Sequence, residues 1–190
     1  MRIAAVPAAA RGDTVTLDGS ATTNATAWQW TQTGGTPVTL IGGTAAKATF
    51  QLPFAATATP TAPDNGNLTF TLKATNGNGG QSATGTATVT IKPDALVVTG
   101  SRFRAGQEIR VDGTSLLPGG PLVLSPATTV AVYVAAGQPG AGKLVGTAQV
   151  DTTGAWTVRP KSTTGFTAFT AVTAVSSRGG STTFTGGTTR

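Results

Sequence analysis

Glu108 and Asp112 stand four residues apart with Arg110 between them. Two carboxyls held across a substrate can act as acid and base on a glycosidic bond, and in a regular strand all three side chains share one face. Arg110 in their midst makes surface charge pairing the simpler reading, so no catalytic residue is assigned and no enzyme activity is expected. A second chemistry is offered by Asp13, Asp18, Asp64 and Asp94, with Asp64-Asn65-Gly66-Asn67 as the densest oxygen-bearing run. Calcium takes six to eight such oxygens. The same residue types also build turns in which a carboxylate caps nearby amides, and that reading is preferred here and at Asp18-Gly19-Ser20. No metal ligand is assigned, and no cofactor is expected. The chain has no His and no Cys, which excludes zinc or haem sites on those ligands, Ser-His and Cys-His nucleophiles, and disulfides.

The remaining chemistry is recognition. Trp28, Trp30, Tyr133 and Trp156 could stack against sugars if exposed, but four large aromatics are close to the minimum that two cores need, and packing is the preferred role. The net charge of +6 is uneven. Residues 1 to 94 carry five basic and four acidic groups, and residues 95 to 190 carry eight and three. Arg102, Arg104, Arg110, Arg159, Lys161 and Arg178 could approach one another in the second half without forming a dense basic run. The binding candidates are therefore Trp28, Trp30, Arg102, Arg104, Trp156 and Arg178. Nucleic acid is not an expected partner, because stacking aromatics are scarce beside these cations.

These side chains must be carried on strands. Charged residues make up only 11% of the chain, so solubility rests on Thr, Ser, Gly, Asn and Gln. Apolar residues alternate with Thr and Gln at Thr14 to Leu17, Ala27 to Gln32, Ala48 to Leu52, Leu68 to Ala74 and Gly85 to Ile91, and Val38 to Ile41 reads as one more strand. Val15 with Leu17, Trp28 with Trp30, Phe70 with Leu72 and Val89 with Ile91 each form an inward row. A sheet with one apolar face must cover it with another sheet.

Lys92-Pro93-Asp94 interrupts the series, which resumes at Ala95 to Val98. Further strands are expected at Glu108 to Val111, Thr129 to Val134, Leu144 to Val150, Ala155 to Arg159, Phe166 to Val175 and Ser181 to Phe184. Turns are expected at Asp112-Gly113, Pro118-Gly119-Gly120, Gly137 to Gly140 and Asp151 to Gly154. Ser181 to Thr185 could complete a strand of its own sandwich or of a neighbour's, and the residues after Thr185 are expected to fray. The fold class is all-β: tandem antiparallel β-sandwiches. The domains are residues 1–92, a linker at 93–95 and residues 96–190, and so short a linker implies sandwiches stacked end to end.

Gly12 to Ser20, Trp28 to Gln32, Val38 to Leu40, Ala48 to Phe50, Leu68 to Leu72 and Asn76 to Gly80, taken in order, resemble the PKD family of immunoglobulin-like domains over residues 3–92. The second half, through Val111 to Thr114, Leu144 to Ala148, Gly154-Ala155-Trp156 and Val175 to Gly180, resembles bacterial immunoglobulin-like surface modules. The first resemblance implies an extracellular β-sandwich that serves as spacer or adhesion module, sometimes with calcium at loop aspartates. Asn24 and Asn76 stand at loop positions where those domains often have acids, which weighs against calcium here.

Ile3 to Ala10 is short and broken by Pro7 ahead of Arg11, so no signal peptide is read in this chain, and no run reaches membrane-spanning length. The expected function is a non-enzymatic structural or adhesive module that spaces, displays or assembles at a cell or virion surface. The expected partners are proteins or further copies of the chain, with glycans also considered and direct membrane insertion not expected. The alternative is a carbohydrate-binding accessory module of a larger secreted enzyme.

Overall fold

Alternation of period two carries over into most of the expected strands. The computed structural model describes residues 1–53, 59–61, 66–77, 80, 82–117 and 128–190. Two compact units are present: Met1–Ala55 with Asn65–Lys92, and Ala56–Asp64 with Pro93–Arg190. Both are all-β immunoglobulin-like sandwiches. Among the described residues, no helix is long and apolar enough to cross a membrane.

The first unit contains β1 (Thr14–Asp18), β2 (Ala27–Gly34), β3 (Lys47–Gln51), β4 (Leu68–Thr75) and β5 (Ser82–Val89). β1 pairs with β3, and β4 lies between β2 and β5, all antiparallel. Leu17, Trp30, Phe50, Leu68, Phe70, Leu72 and Val89 are buried in one core, and the Phe50 and Phe70 rings lie 5.0 Å apart. Burying one such side chain contributes about 1.5–3 kcal/mol, so each alternating row is committed to its face. Val38 to Ile41 does not form the expected strand. Gln32 Oε1 accepts from the Val38 amide at 2.9 Å, and Gln32 Nε2 donates to the Thr36 carbonyl at 2.8 Å. This side chain takes over the hydrogen bonding that a ladder would supply, leaving a single antiparallel bridge between Ile41 and Thr49.

In the second unit β6 (Ala95–Arg104), β7 (Glu108–Leu116), β8 (Thr129–Val134), β9 (Leu144–Gln149), β10 (Ala155–Val158), β11 (Val172–Ser176), β12 (Ser181–Phe184) and β13 (Thr188–Thr189) follow in order. One sheet runs β10-β7-β6-β13 and the other β12-β11-β8-β9. Val98, Phe103, Ile109, Val111 and Trp156 from the first meet Val130, Val132, Val145 and Val172 from the second in one core. Phe103 meets Phe169 edge-on at 5.4 Å.

Three expectations are corrected here. Asp112-Gly113 is not a turn but the middle of β7. A Cβ on Gly113 would come within 2.2 Å of both the Trp156 ring and the Val97 carbonyl oxygen, so glycine is required by close approach within a strand. Phe166 to Ala171 is irregular: the Phe166 amide donates to the Thr163 carbonyl at 3.0 Å, the Thr170 amide to Gln138 Oε1 at 3.0 Å, and strand pairing begins at Val172. The chain end does not fray. β12 pairs with β11 of its own unit, β13 runs parallel to β6, and the Arg190 amide donates to the Phe103 carbonyl at 3.0 Å. The turn expected at Pro118-Gly119-Gly120 lies outside the described residues.

Asp94 has a larger part than a linker residue would. It is buried, and its carboxylate accepts from Ser115 Oγ at 2.5 Å, from the Gly180 amide at 2.7 Å and from Ser176 Oγ. The residue just ahead of β6 is thereby joined to β7, to the end of β11 and to the turn before β12. Buried donors left without an acceptor cost about 1–3 kcal/mol each. Asp94→Ala is therefore expected to destabilise the chain by about 3 kcal/mol or more, and Gly113→Ala by about 1–3 kcal/mol through overpacking. Urea unfolding followed by tryptophan fluorescence measures both, and a loss under about 0.5 kcal/mol, the range of ordinary surface changes, would contradict either assignment.

Candidate functional site

The outward face of β7 presents Glu108, Arg110, Asp112 and Thr114, while Ile109, Val111, Gly113 and Ser115 face inward. On β6, Leu96 and Val98 face inward, and the same parity would turn Arg102 and Arg104 into the core. It does not, because the register with β7 shifts between Val98 and Gly100. Thr99 is the extra residue of a β-bulge, which reverses the facing of everything after it. Ser101 and Phe103 become buried, and Arg102 and Arg104 join the outer face.

Register then decides the pairing. Arg102 lies directly opposite Arg110, and Arg104 opposite Glu108. Facing like charges are unfavourable, and each arginine turns to an acid instead: Arg102 to Glu108 at 2.7 Å and Arg110 to Asp112 at 2.9 Å. Arg159, just past β10, reaches the second Glu108 oxygen through Nη2 at 2.8 Å and Nε at 3.1 Å. Arg104 is the loosest partner, at 4.0 Å. Asp112 also accepts from Thr157 Oγ1 at 2.7 Å. Partial desolvation opposes ionisation of Glu108, but the Arg159 hydrogen bonds and the charges of Arg102, Arg159 and Arg104 outweigh it and hold the carboxyl below its ordinary 4.5. Both carboxylates of the supposed acid-base pair are thus engaged by cations, an arrangement suited to a fixed charged surface and not to proton transfer.

Beside this cluster lies a groove of about 630 Å³ lined by Arg104, Gln107, Glu108, Arg159, Pro160 and Lys161. A smaller recess of about 210 Å³ adjoins Arg102, Arg110 and Asp112. Of the sequence-derived binding residues, Arg102 and Arg104 belong to this face and the others do not. Arg178, expected at a binding surface, is only 1% exposed. It follows β11 in the turn beside the Asp94 cluster, where its amide donates to Ser176 Oγ at 3.0 Å. Trp30 is buried in the first core and Trp156 in the second. Trp28 is half-buried against the first core with its Nε1 buried, so the polar edge that would meet sugar hydroxyls is turned away from solvent. Tyr133 lies on β8, opposite Leu144.

The groove's other cations, Arg159 and Lys161, are among those expected to approach Arg102 and Arg104 but not among the binding candidates, although a signal for their facing exists. Thr157, Arg159 and Lys161 continue the outward parity of β10 beyond the inward Trp156 and Val158. Charge also redistributes once Asp94 is counted with the unit that buries it. Residues 1–92 then hold five bases and three acids, and residues 93–190 eight bases and four acids. The excess in the second half is smaller than the sequence division suggested.

The described loop aspartates of the first unit serve turns. Asp18 accepts from the Ser20 amide and hydroxyl at 2.9 and 2.6 Å and pairs with Lys47 at 2.8 Å. The Lys47 contact first, then those to Ser20, lower its pKa to about 2. Asp13 accepts from the Ala10 amide at 2.8 Å. Among the described residues, no cluster of three or more acids could hold a metal ion. Asp64 and Asn65 lie outside those residues.

Comparison with known families finds a match within the first unit. Residues 8–91 match the K319L-like, PKD domain family, the stretch where the sequence resemblance was read. No curated protein matches the chain. Among solved structures, the Yersinia pseudotuberculosis adhesin InvE is similar at 20% identity and a TM-score of 0.40, over 92% of this chain and 54% of that one. The chain therefore spans about half the length of that adhesin. Murine CEACAM1b is 10% identical over 90% of this chain and 89% of its own, with a TM-score of 0.31. The Clostridium thermocellum CbhA fibronectin(III)-like modules are 9% identical over 98% and 94%, also at 0.31. Likenesses this distant say nothing about partners.

The Glu108 cluster makes a pH prediction. A carboxyl whose folded pKa is depressed contributes stability that is fully present above its unfolded value and is lost as pH falls through the folded one. The Glu108 carboxyl, followed by carbon-13 NMR, is expected to titrate below 4.5, and Arg159→Ala is expected to move that midpoint upward. An unchanged midpoint in the variant would show that Arg159 does not govern the cluster.

Proposed function

We propose that the chain is a non-enzymatic structural or adhesive module, made of tandem immunoglobulin-like sandwiches, that spaces, displays or assembles at an extracellular or virion surface. The observation that supports this reading best is the state of the polar groups on the outer face of β10-β7-β6-β13. Glu108 and Asp112 are tied to Arg102, Arg159, Arg110 and Thr157, an arrangement that offers charge for docking and leaves neither carboxylate poised for catalysis. The PKD resemblance of the first unit agrees with it, since that family implies spacing or adhesion outside the cell. The domain division at the linker 93–95, and placement at a surface, belong to the same proposal.

A carbohydrate-binding accessory role through stacked tryptophans is the weaker alternative. Trp30 and Trp156 are buried, and Trp28 keeps its indole nitrogen inward, whereas neutral sugars need an open aromatic face.

The two readings separate in one paired experiment. A panel of neutral oligosaccharides is titrated against the intact chain with tryptophan fluorescence as readout, while light scattering follows mass. The module reading expects no change in emission with any neutral sugar. A specific change in a monomer, abolished by Trp28→Ala, would replace that reading with the accessory one.

A further inference from the structure

The groove beside Glu108 holds more positive charge than its own carboxylate neutralises. Glu108 gives its two oxygens to Arg102 and Arg159 at 2.7 and 2.8 Å. Arg104 remains at 4.0 Å, and Lys161 makes no ion pair among the described residues. Both line the groove together with Gln107, and Gln107 and Lys161 are exposed. Two under-neutralised cations and a neutral amide therefore converge on one recess.

The lining narrows the class of ligand. No aromatic side chain is present in it, so neither neutral sugars nor unstacked bases find a stacking surface. Pro160 is the sole apolar contributor, so the recess has arginines but none of the aromatic anchors that accompany them at the centres of protein interfaces. Among the described residues, the exposed large apolar side chains of this unit, Val97, Leu116 and Leu144, lie elsewhere. A second copy of the chain, itself at +6, is repelled at long range. What fits is an extended polymer that carries regularly placed acidic groups and hydroxyls.

Building on the adhesive reading, we propose that this groove binds an anionic polysaccharide. Arg104 and Lys161 hold its carboxylate or sulfate groups, and Gln107 hydrogen-bonds its hydroxyls. Glu108 holds the Arg159 guanidinium in the groove wall at 2.8 Å, so that its charge adds to the field of the recess. Such binding is steered by charge and weakens as salt screens it.

The test uses the intact chain in calorimetric titrations with polygalacturonate and dextran sulfate, and with neutral dextran, poly-glutamate and duplex DNA for comparison. Binding to the two anionic polysaccharides, falling with added salt, is expected. Arg104→Ala with Lys161→Ala should weaken it about tenfold, the sum of two exposed charge contacts. Lys73→Ala with Lys92→Ala removes the same net charge from exposed positions of the first unit, and should leave affinity within about twofold if the site, not overall charge, is responsible. Gln107→Glu, which places a carboxylate in the recess, should also weaken binding, and unchanged thermal melting of each variant establishes that folding is intact. The proposal is overturned if neither anionic polysaccharide binds, if neutral dextran binds as well, if poly-glutamate or DNA binds more tightly, or if both double variants behave alike. That failure leaves the structural module reading standing, because the latter is decided by neutral sugars and Trp28.

Discussion

A strand that alternates apolar and polar side chains satisfies both sets only when one face meets another sheet and the other meets water. In this chain that constraint is unusually strict, because charged residues are few and the outward rows are largely Thr. Each side chain's role is therefore set by parity along its strand. Leu68, Phe70 and Leu72 on β4 show the simple case, with Thr69 and Thr71 between them. Where parity is interrupted, function-bearing residues change sides, and a single extra residue at Thr99 does this on β6. Without it the outer face would lose Arg102 and Arg104, and the core would have to accommodate two guanidiniums in place of Phe103.

The second unit closes around polar contacts as well as apolar ones. Asp94 joins Ser115, Ser176 and Gly180 from separate segments, and a Cβ on Gly180 would come within 2.6 Å of the Asp94 carboxylate. A buried carboxylate is tolerable only where donors converge on it. Here they also anchor the start of β6, the strand whose bulge sets the charged face. The two features are linked: one secures the beginning of the strand, and the other decides how its far end is presented.

Much of the fold was legible from residue order. The strands from Thr14 to Asp18, Ala27 to Gly34 and Leu68 to Thr75 agree with the alternation that announced them, Thr129 to Val134 is a strand as expected, and Asp151 to Gly154 forms the expected turn, with Asp151 accepting from Thr153 and Ala155. The failures have local causes. Gln32 engages the Thr36 carbonyl and the Val38 amide with its side chain where a strand was expected to begin, and Gly113 looks like a turn residue although its small size serves the packing of Trp156. The charged face was partly legible: Arg102 and Arg104, two of the binding candidates, stand on it, whereas Arg178, expected at a surface, is buried.

The sequence by itself determined the all-β class, the inward rows and the absence of His and Cys chemistry, because these follow from composition and from a period that strand geometry imposes on every neighbouring pair. Only the tertiary structure decided which arginines share a face and which acids they meet. Register, a bulge and the approach of β10 bring Glu108 to Arg159 across 51 residues of chain, and no spacing along a single strand encodes that distance. Arg178 and Asp94 illustrate the same reason from the other side, since burial of a charged residue depends on donors and acceptors supplied by distant segments.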